Sequence, residues 1–595
     1  MIKLSVIIPT YNRRHVLERT LPTLEAQDLP PEDYEVIVVV DGSTDGTQEL
    51  LLDWNPRCKH RVLETPHSGP STARNAGINA AVGALVLFLD DDFLCVPDLL
   101  RQHVESHVDY ESRVVHGAIY VARDSVQSII RQVTERFYEN YYGHLDPEME
   151  LHYPQPIGNS IAVLSSLANS SMSRDLLLST GGYDETIRAA EDLELGLRLW
   201  KMGASFRYRP KAIAYEYYVK SSWEFLQWQG RTLLAGDLRA CRKHPEYRPH
   251  SSLSSFGETR SSKKWLRNLI VRFPLSPLPL LAFPLRFEKW LMRFGPIQKL
   301  MVRSMAISER MMRLRSGLKV LGSWNELESQ FDRRVPALMY HHIGPLRPGT
   351  YPSLTVSPER FEQQVRWLKR RGYVGIKPAE WARWRREGTG LPKKPILITF
   401  DDAYADIAEY ALPVLKRYGF GGAVFVVSGR VGATNTWDEV NGCGTLKLMT
   451  AEQIRYWARE GIEFGAHSQT HADLRSLSPA ECMKEVEGSK RDLEALIGIP
   501  VTSFAYPFGE YNEDVCSQVR SQFDLGFSMG QGINFLRTDP HLLGRHYIGP
   551  NDSLLTFSLC VRGIEMKRFR DLRVKLAVRT RLRKILGLRA VDRAQ

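Results

Sequence analysis

Val86-Leu87-Phe88-Leu89-Asp90-Asp91-Asp92 joins four apolar residues to three carboxylates. An unbroken apolar run suits a strand buried on both faces of a parallel sheet, and the carboxyl end of such a strand is where α/β sheets open a ligand crevice. Three carboxylates crowded there call for a cation. Hard divalent ions, Mg²⁺ or Mn²⁺, take oxygen ligands and leave positions for phosphates, so a diphosphate substrate is implied. The competing reading is a solvated acidic turn that caps the next helix.

The surroundings of that run favour the first reading. Leu4-Ser5-Val6-Ile7-Ile8-Pro9 and Tyr34 to Asp41 are further apolar runs, separated by a helical pattern from about His15 to Gln27. Arg61 to Thr65 adds a strand, and a helix begins near Ser71. Alternation of this kind predicts a parallel α/β sheet. Asp41 ends its strand and enters Gly42-Ser43-Thr44-Asp45-Gly46, which places a second carboxylate at a second strand end.

Five ordered stretches, VIIPTYNR, VVVDGSTDGT, SGPSTARNAG, FLDDDF and GGYDETIRAAEDLELGLRL, resemble the motifs of inverting family-2 glycosyltransferases of the GT-A fold. The resemblance implies that Pro9, Tyr11 and Asp41 hold a nucleoside, that Arg74 meets its diphosphate, and that Asp90 and Asp92 take the metal or ribose. It makes Asp192 the general base, with Glu191 beside it in the substrate groove. A turn role for Asp41, a surface role for Arg74 and an N-cap role for Glu191-Asp192 are the alternatives. Two features depart from the family. Ala212-Ile213-Ala214-Tyr215-Glu216-Tyr217 lacks the His that many relatives place there, and no QxxRW signature follows, which favours adding one sugar or a few over extruding a polymer.

A second apolar run, Pro395-Ile396-Leu397-Ile398-Thr399-Phe400, again ends in carboxylates, Asp401 and Asp402. Downstream stands His467-Ser468-Gln469-Thr470-His471. One Asp with two His suits Zn²⁺ or a similar divalent ion, and the adjoining Asp is left to act as a base. A turn for the aspartates and a helix face for the histidines are the alternatives.

TFDD followed by HSQTH resembles the polysaccharide deacetylases of carbohydrate esterase family 4, the NodB-homology group, whose fold is a distorted (β/α) barrel. The resemblance implies Asp402, His467 and His471 as metal ligands, Asp401 as the group that activates water, and Tyr506, Pro507, Phe508 and Gly509 as the sugar groove. Ala505 stands where many relatives have Arg, and Leu543-Gly544-Arg545-His546 replaces a late Leu-x-His. His546 is therefore expected to serve as the acid and Arg545 to pair with Asp401, while His341 and His342 are weaker candidates.

A chain of 595 residues is too long for one core, and its 43% hydrophobic and 25% charged content is that of a soluble globular protein. The expected organisation is a transferase domain at 1–255, a basic amphipathic connector at 256–334, a deacetylase domain at 335–562 and a basic amphipathic tail at 563–595. Arg260 to Val320 holds fourteen Lys/Arg against two Glu, and Lys567 to Arg593 holds eleven against two Asp, so the net charge of +11 resides in these segments. Neither contains a span long enough to cross a bilayer, and both suit an anionic membrane surface, with interdomain packing as the alternative. No nucleic-acid motif accompanies them. Seven cysteines without a CxxC pair, and an amino terminus that enters a strand directly, fit a reducing cytoplasm without a signal peptide.

These readings predict an α/β protein that couples a GT-A Rossmann-like mixed sheet to a distorted barrel. Its expected activity is bifunctional: metal-dependent inverting transfer of a sugar such as N-acetylhexosamine from a nucleotide-sugar donor, and metal-dependent N-deacetylation of a glycan or lipid-linked sugar. An active transferase carrying a degenerate, glycan-binding deacetylase unit is the alternative. The expected location is the inner face of the cell membrane, peripherally bound; oligomeric state is not encoded legibly.

Overall fold

The structure is a computed structural model that describes residues 2–107, 112–125, 128–143, 145–146, 150–151, 166–187, 189–217, 221–225, 233–251, 253–254, 290, 299–303, 305, 321–331, 333–346, 352–437, 445–530 and 532–563. The basic tail and most of the connector lie outside those residues. The chain divides into two compact units, Met1–Leu253 with Thr259–Trp324, and Asn325–Gln595 with Ser254–Glu258.

The first unit is built on β1 (Leu4–Thr10), β2 (Tyr34–Asp41), β3 (Lys59–Thr65), β4 (Leu85–Phe88), β5 (Phe93–Cys95), β6 (Arg113–Val121), β7 (Glu150–Leu151), β8 (Ser170–Ser173) and β9 (Ser205–Glu216). They form one mixed sheet ordered β3-β2-β1-β4-β8-β6-β9-β5, with β7 beside β9. β1, β2, β3 and β4 are mutually parallel, whereas β8 runs antiparallel between β4 and β6. Strand and helix alternation anticipates the parallel half, and the family resemblance the mixed sheet. In that half every residue of β2 is buried, as a strand covered on both faces requires. The helix Arg14–Glu25 buries Leu17, Leu21 and Leu24 at helical spacing, each contributing on the order of 1.5–3 kcal/mol of transfer free energy. β4 is shorter than the run 86–92 suggests, because Asp90–Asp92 leave the sheet in a turn before β5.

One described piece of the connector packs on this unit. Met301 and Met305 are buried against Val121, Ile129 and Ile130. Among the described residues no helix is long and apolar enough to cross a membrane.

The second unit contains β10 (Val335–Tyr340), β11 (His342–Ile343), β12 (Thr355–Val356), β13 (Val374–Ile376), β14 (Pro395–Phe400), β15 (Ala423–Val426), β16 (Glu463–Ala466), β17 (Ser503–Ala505), β18 (Leu525–Phe527), β19 (Ile533–Asn534) and β20 (His546–Tyr547). β10, β14, β15, β16, β17 and β18 follow one another in parallel. The ends of this sheet meet through one segment: Leu543 bridges Phe527 of β18, and β20 pairs in parallel with β10. The sheet thereby closes into a distorted barrel, with helices such as Pro358–Arg370 and Pro479–Ile497 outside it. Strand ends from opposite sides of the ring then face one another.

Candidate active sites

In the first unit the parallel strands bring their carboxyl ends together. Pro9 is near the end of β1, in register with Val39 of β2, and Tyr11 follows it, 43% exposed. Tyr11 stacks on His67 with ring centroids 4.0 Å apart. His67 Nδ1 lies 3.0 Å from Asp41 Oδ2, and the Asp41 carboxylate also accepts the Ser68 and Gly69 N–H groups at 2.8 and 2.9 Å. Gly42, at φ +71°, permits this approach, since a Cβ there would lie 2.9 Å from the His67 nitrogen. Tyr11, Asp41 and His67 thus form one aromatic and acidic wall. His67 escapes sequence reasoning because its partner is 26 residues away.

Arg74 is the hub of the opposite wall. Its guanidinium reaches Asp90 at 3.0 Å and Glu191 at 2.9 Å, lies 3.8 Å from Asp192, and sits 5.4 Å from the Tyr183 ring centre. Although burial opposes its charge, Asp192 and its neighbours hold the Arg74 pKa well above the ordinary value. Burial pushes the Asp192 carboxyl up to about 6 against the pull of Arg74, and the Tyr183 hydroxyl donates to it at 3.1 Å. A carboxylate with that pKa, fixed by two partners, is suited to take a proton near neutral pH.

The expected metal pair does not converge. Asp90 turns to Arg74, whereas Asp92 accepts from Arg13 at 2.5 Å, and Arg13 Nε lies 3.3 Å from Asp91. Asp91 is also bonded by Thr10 Oγ1 at 2.7 Å, and burial pushes its carboxyl up to about 7. Consecutive residues leaving a strand point in different directions, and each finds a guanidinium in place of a shared ion. The residues at this strand end therefore do not fit an Mg²⁺ or Mn²⁺ ligand set as they stand, and among the described residues the only three-ligand cluster lies in the second unit.

That cluster is Asp402, His467 and His471, all buried, with ligand atoms within 4.8 Å of one another. His467 Nε2 and His471 Nε2 lie 3.5 and 3.2 Å from Asp402 Oδ1. His467 Nδ1 donates to the Ala505 carbonyl at 2.7 Å, which fixes the tautomer and leaves the Nε2 lone pair toward Asp402. Burial brings His467 down to about 4, so it is neutral at pH 7. Asp402 Oδ1 is buried without an aligned hydrogen-bond donor. Two imidazole lone pairs and one orphaned carboxylate oxygen fit Zn²⁺ or a similar ion. The histidines lie on a loop after β16, which removes the helix-face alternative.

Asp401, one residue away, faces Arg545, whose guanidinium grips both carboxylate oxygens at 2.5 and 2.8 Å. Burial alone would favour the neutral acid, and Arg545 reverses that, holding the carboxyl below its ordinary range. The guanidinium also sits over Phe425 and Phe527, 5.3 and 5.9 Å from the ring centres.

Two expectations are corrected here. His546 is not positioned as the acid: side chains alternate along an extended run, Arg545 faces Asp401, and the His546 ring lies instead against Gly532. A further imidazole near both carboxylates, besides His467, is His341, buried, depressed by burial with the Asp402 and Asp401 charges opposing; its Nδ1 has no hydrogen-bond partner. It directly follows β10, whose Tyr340 carbonyl accepts the Asp401 N–H at 3.0 Å. The proposed groove is also redrawn. Tyr506 is fully buried, its hydroxyl donated to the His541 carbonyl at 2.9 Å. Pro507 is buried, and Gly509 backs on Met529. Phe508 faces the site, 4.6 Å from the His471 ring, with Trp437 stacked on that imidazole at 4.8 Å.

The family model for glycosyl transferase family 2 matches residues 5–159, that for glycosyl transferase family group 2 matches 85–302, and that for polysaccharide deacetylase matches 388–526. This chain carries a family 2 glycosyltransferase domain followed by a polysaccharide deacetylase domain. The chain is 29% identical over 204 residues to the putative polysaccharide deacetylase YxkH of Bacillus subtilis, covering 34% of this chain and 66% of that protein. It is 38% identical over 120 residues to the validoxylamine A glucosyltransferase of Streptomyces hygroscopicus subsp. limoneus, covering 20% and 26%. It is 26% identical over 185 residues to the poly-β-1,6-N-acetyl-D-glucosamine N-deacetylase of Staphylococcus aureus, covering 29% and 61%. The chain thus spans from about a quarter to about two thirds of the length of these relatives.

Proposed function

We propose that the chain is a bifunctional enzyme of glycan biosynthesis, which transfers a sugar from a nucleotide-sugar donor in its first unit and hydrolyses N-acetyl groups of a glycan or lipid-linked sugar in its second. The observation that carries the reading is the convergence of Asp402, His467 and His471 beside an Asp401 pinned by Arg545.

In the first unit Asp192 takes the proton of the acceptor hydroxyl as that oxygen displaces the nucleoside diphosphate from the anomeric carbon. Attack from the face opposite the leaving group inverts the centre. Arg74 meets the charge that develops on the leaving diphosphate, while Tyr11 and Asp41 offer a stacking surface and an acceptor for the nucleoside.

In the second unit Asp402, His467 and His471 would hold a divalent ion such as Zn²⁺, which when bound supplies Lewis acidity and lowers the pKa of water. Asp401 accepts the proton of the attacking water. His341, beside both carboxylates, relays to the departing amine the proton that Asp401 takes from the water, so that acetate and a free amino sugar result. Phe508 and Trp437 flank the His471 imidazole as apolar surfaces for a sugar ring. The likeness to a poly-N-acetylglucosamine N-deacetylase supports an N-acetylhexosamine substrate. Against a degenerate deacetylase unit, the pairing of Arg545 with Asp401 and the place of His341 beside both carboxylates support turnover.

Acetate release from N-acetylglucosamine oligomers by the wild type and by Asp401→Asn tests the reading. A loss of about a hundredfold or more is expected on removing the base, and equal rates would refute it. We place the enzyme on the cytoplasmic face of a membrane, supported by the basic segments and by a donor class made in the cytoplasm. Flotation with anionic liposomes that is equal at low and high salt would argue against that electrostatic anchor.

A further inference from the structure

Both imidazoles of the ion site sit on one five-residue loop, and the loop holds an unfavourable shape. Ser468 and His471 have φ of +62° and +63°, a region that non-glycine residues keep only where their surroundings over-determine it. Within the loop, the His471 N–H donates to Ser468 Oγ at 2.9 Å. The remaining support comes from outside.

That support is one face of the helix Pro479–Ile497. Glu485 Oε2 accepts the Gln469 and Thr470 N–H groups at 2.8 and 2.9 Å, and its Oε1 accepts the Thr470 hydroxyl at 2.7 Å. Seven residues on, Asp492 Oδ2 accepts Gln469 Nε2 at 2.7 Å and Ser428 Oγ at 2.9 Å. Between them Gly488 lets the helix approach, since a Cβ there would lie 2.5 Å from the Gln469 carboxamide. Residues at i, i+3 and i+7 share a helix face, so a carboxylate, a bare backbone and a second carboxylate are presented together to the loop. The Ser428 and Gly429 N–H groups close the other side, donating to the Ser468 and Gln469 carbonyls at 3.1 and 3.0 Å.

We propose that Glu485, with Gly488 and Asp492, is a set of positioning residues that fixes the His467–His471 loop in its ion-binding shape before any ion arrives. None of the three touches the ion or the substrate. A loop that had to find this shape on binding would lower the apparent affinity by the fraction of time it spends competent. The inference rests on Asp402, His467 and His471 being an ion site, and the test separates the two claims.

The measurement is Zn²⁺ affinity of the full-length chain by competition with a chromophoric chelator, alongside the melting temperature of the metal-free protein. Asp402→Asn identifies the equivalent that belongs to this site. Glu485→Ala is expected to weaken that equivalent about ten- to a hundredfold, the range for groups that orient ligands from outside. Glu485→Gln should recover most of it, because its carbonyl still accepts both N–H groups and its amide donates to the Thr470 hydroxyl. Glu487→Ala, exposed on the same helix, should change nothing. If Glu485→Ala does not fold, Gly488→Ala carries the test, with a loss of about tenfold expected as the methyl displaces Gln469. A folded Glu485→Ala or Gly488→Ala protein with wild-type affinity overturns the inference. A wild type that binds no Zn²⁺ at Asp402 overturns the ion reading instead.

Discussion

Two strand ends in this chain carry consecutive aspartates, and they meet opposite company. At Asp90–Asp92 the neighbours are Arg13 and Arg74, which claim the carboxylates separately. At Asp401–Asp402 one guanidinium, Arg545, takes the first carboxylate, and the second is left to two imidazoles. A guanidinium has only donors and always carries its charge, so it satisfies a carboxylate permanently. A neutral imidazole offers a lone pair and leaves the carboxylate's charge for a cation. The same acidic motif is thus held in guanidinium ion pairs in one unit and left beside two imidazoles as a candidate ligand set in the other, and the neighbours decide which.

Chelation tests the contrast most severely. Dialysis against a strong chelator is expected to lower acetate release by about three orders of magnitude, given what a bound ion does to the acidity of water. Turnover of the nucleotide-sugar donor should fall by less than about tenfold, because Asp90 and Asp92 are engaged by Arg74 and Arg13 rather than gathered around one ion. Equal losses would show that Arg13 yields Asp92 to an ion during the reaction, and the contrast would break.

A smaller effect should appear in the pH profile of transfer. The Asp192 carboxyl is raised to about 6 by burial, so the base is ionised above that value and is lost as pH falls through it. The rate kcat/KM for the acceptor should drop about tenfold per unit below pH 6, and a profile flat down to pH 5 would remove Asp192 from that role.

The smallest effect sharpens the comparison by adding a partly buried carboxylate on which the one cation acting, Lys377, is outweighed by burial. Glu463 is bonded by Ser503 and by the Ala379 N–H, and burial pushes it up to about 7. Its folded form binds a proton more tightly than the unfolded chain does, so it costs stability progressively as pH rises from about 4.5 through about 7. Glu463→Gln should remove that slope and gain about 1–3 kcal/mol relative to wild type between those limits. Urea denaturation at both pH values reads it, and parallel curves would refute it.

Much of both sites was legible because apolar runs ending in Asp mark strand ends, and strand ends of α/β sheets gather in space. Asp41, Asp90 and Asp402 each stood on such a signal, His467 and His471 were marked by their spacing, and Asp192, in the first turn of the helix Glu191–Lys201, by the resemblance alone. What was not legible depended on direction. Asp92 and Asp90 are two residues apart, yet their partners lie 79 residues upstream and 16 upstream respectively, and no local pattern encodes that. His546 and Arg545 are neighbours on opposite faces of an extended run, and choosing between them required the register with β10. His341 could have been ranked higher, since it ends an apolar strand as Asp401 does. Tyr506 was misplaced for the same reason of face: its hydroxyl turns inward to a carbonyl.

The ring of the second unit is closed by the segment that also supplies Arg545, 144 residues after the carboxylate it neutralises. During synthesis Asp401 therefore leaves the ribosome long before its counter-charge, and enclosing it early would strand an anion in an apolar interior. The nascent barrel has reason to stay open to water until that last segment docks. A protein stalled or nicked ahead of residue 545 should then be recovered as an open, protease-sensitive fragment, so quality control and chemistry depend on the same late-arriving side chain.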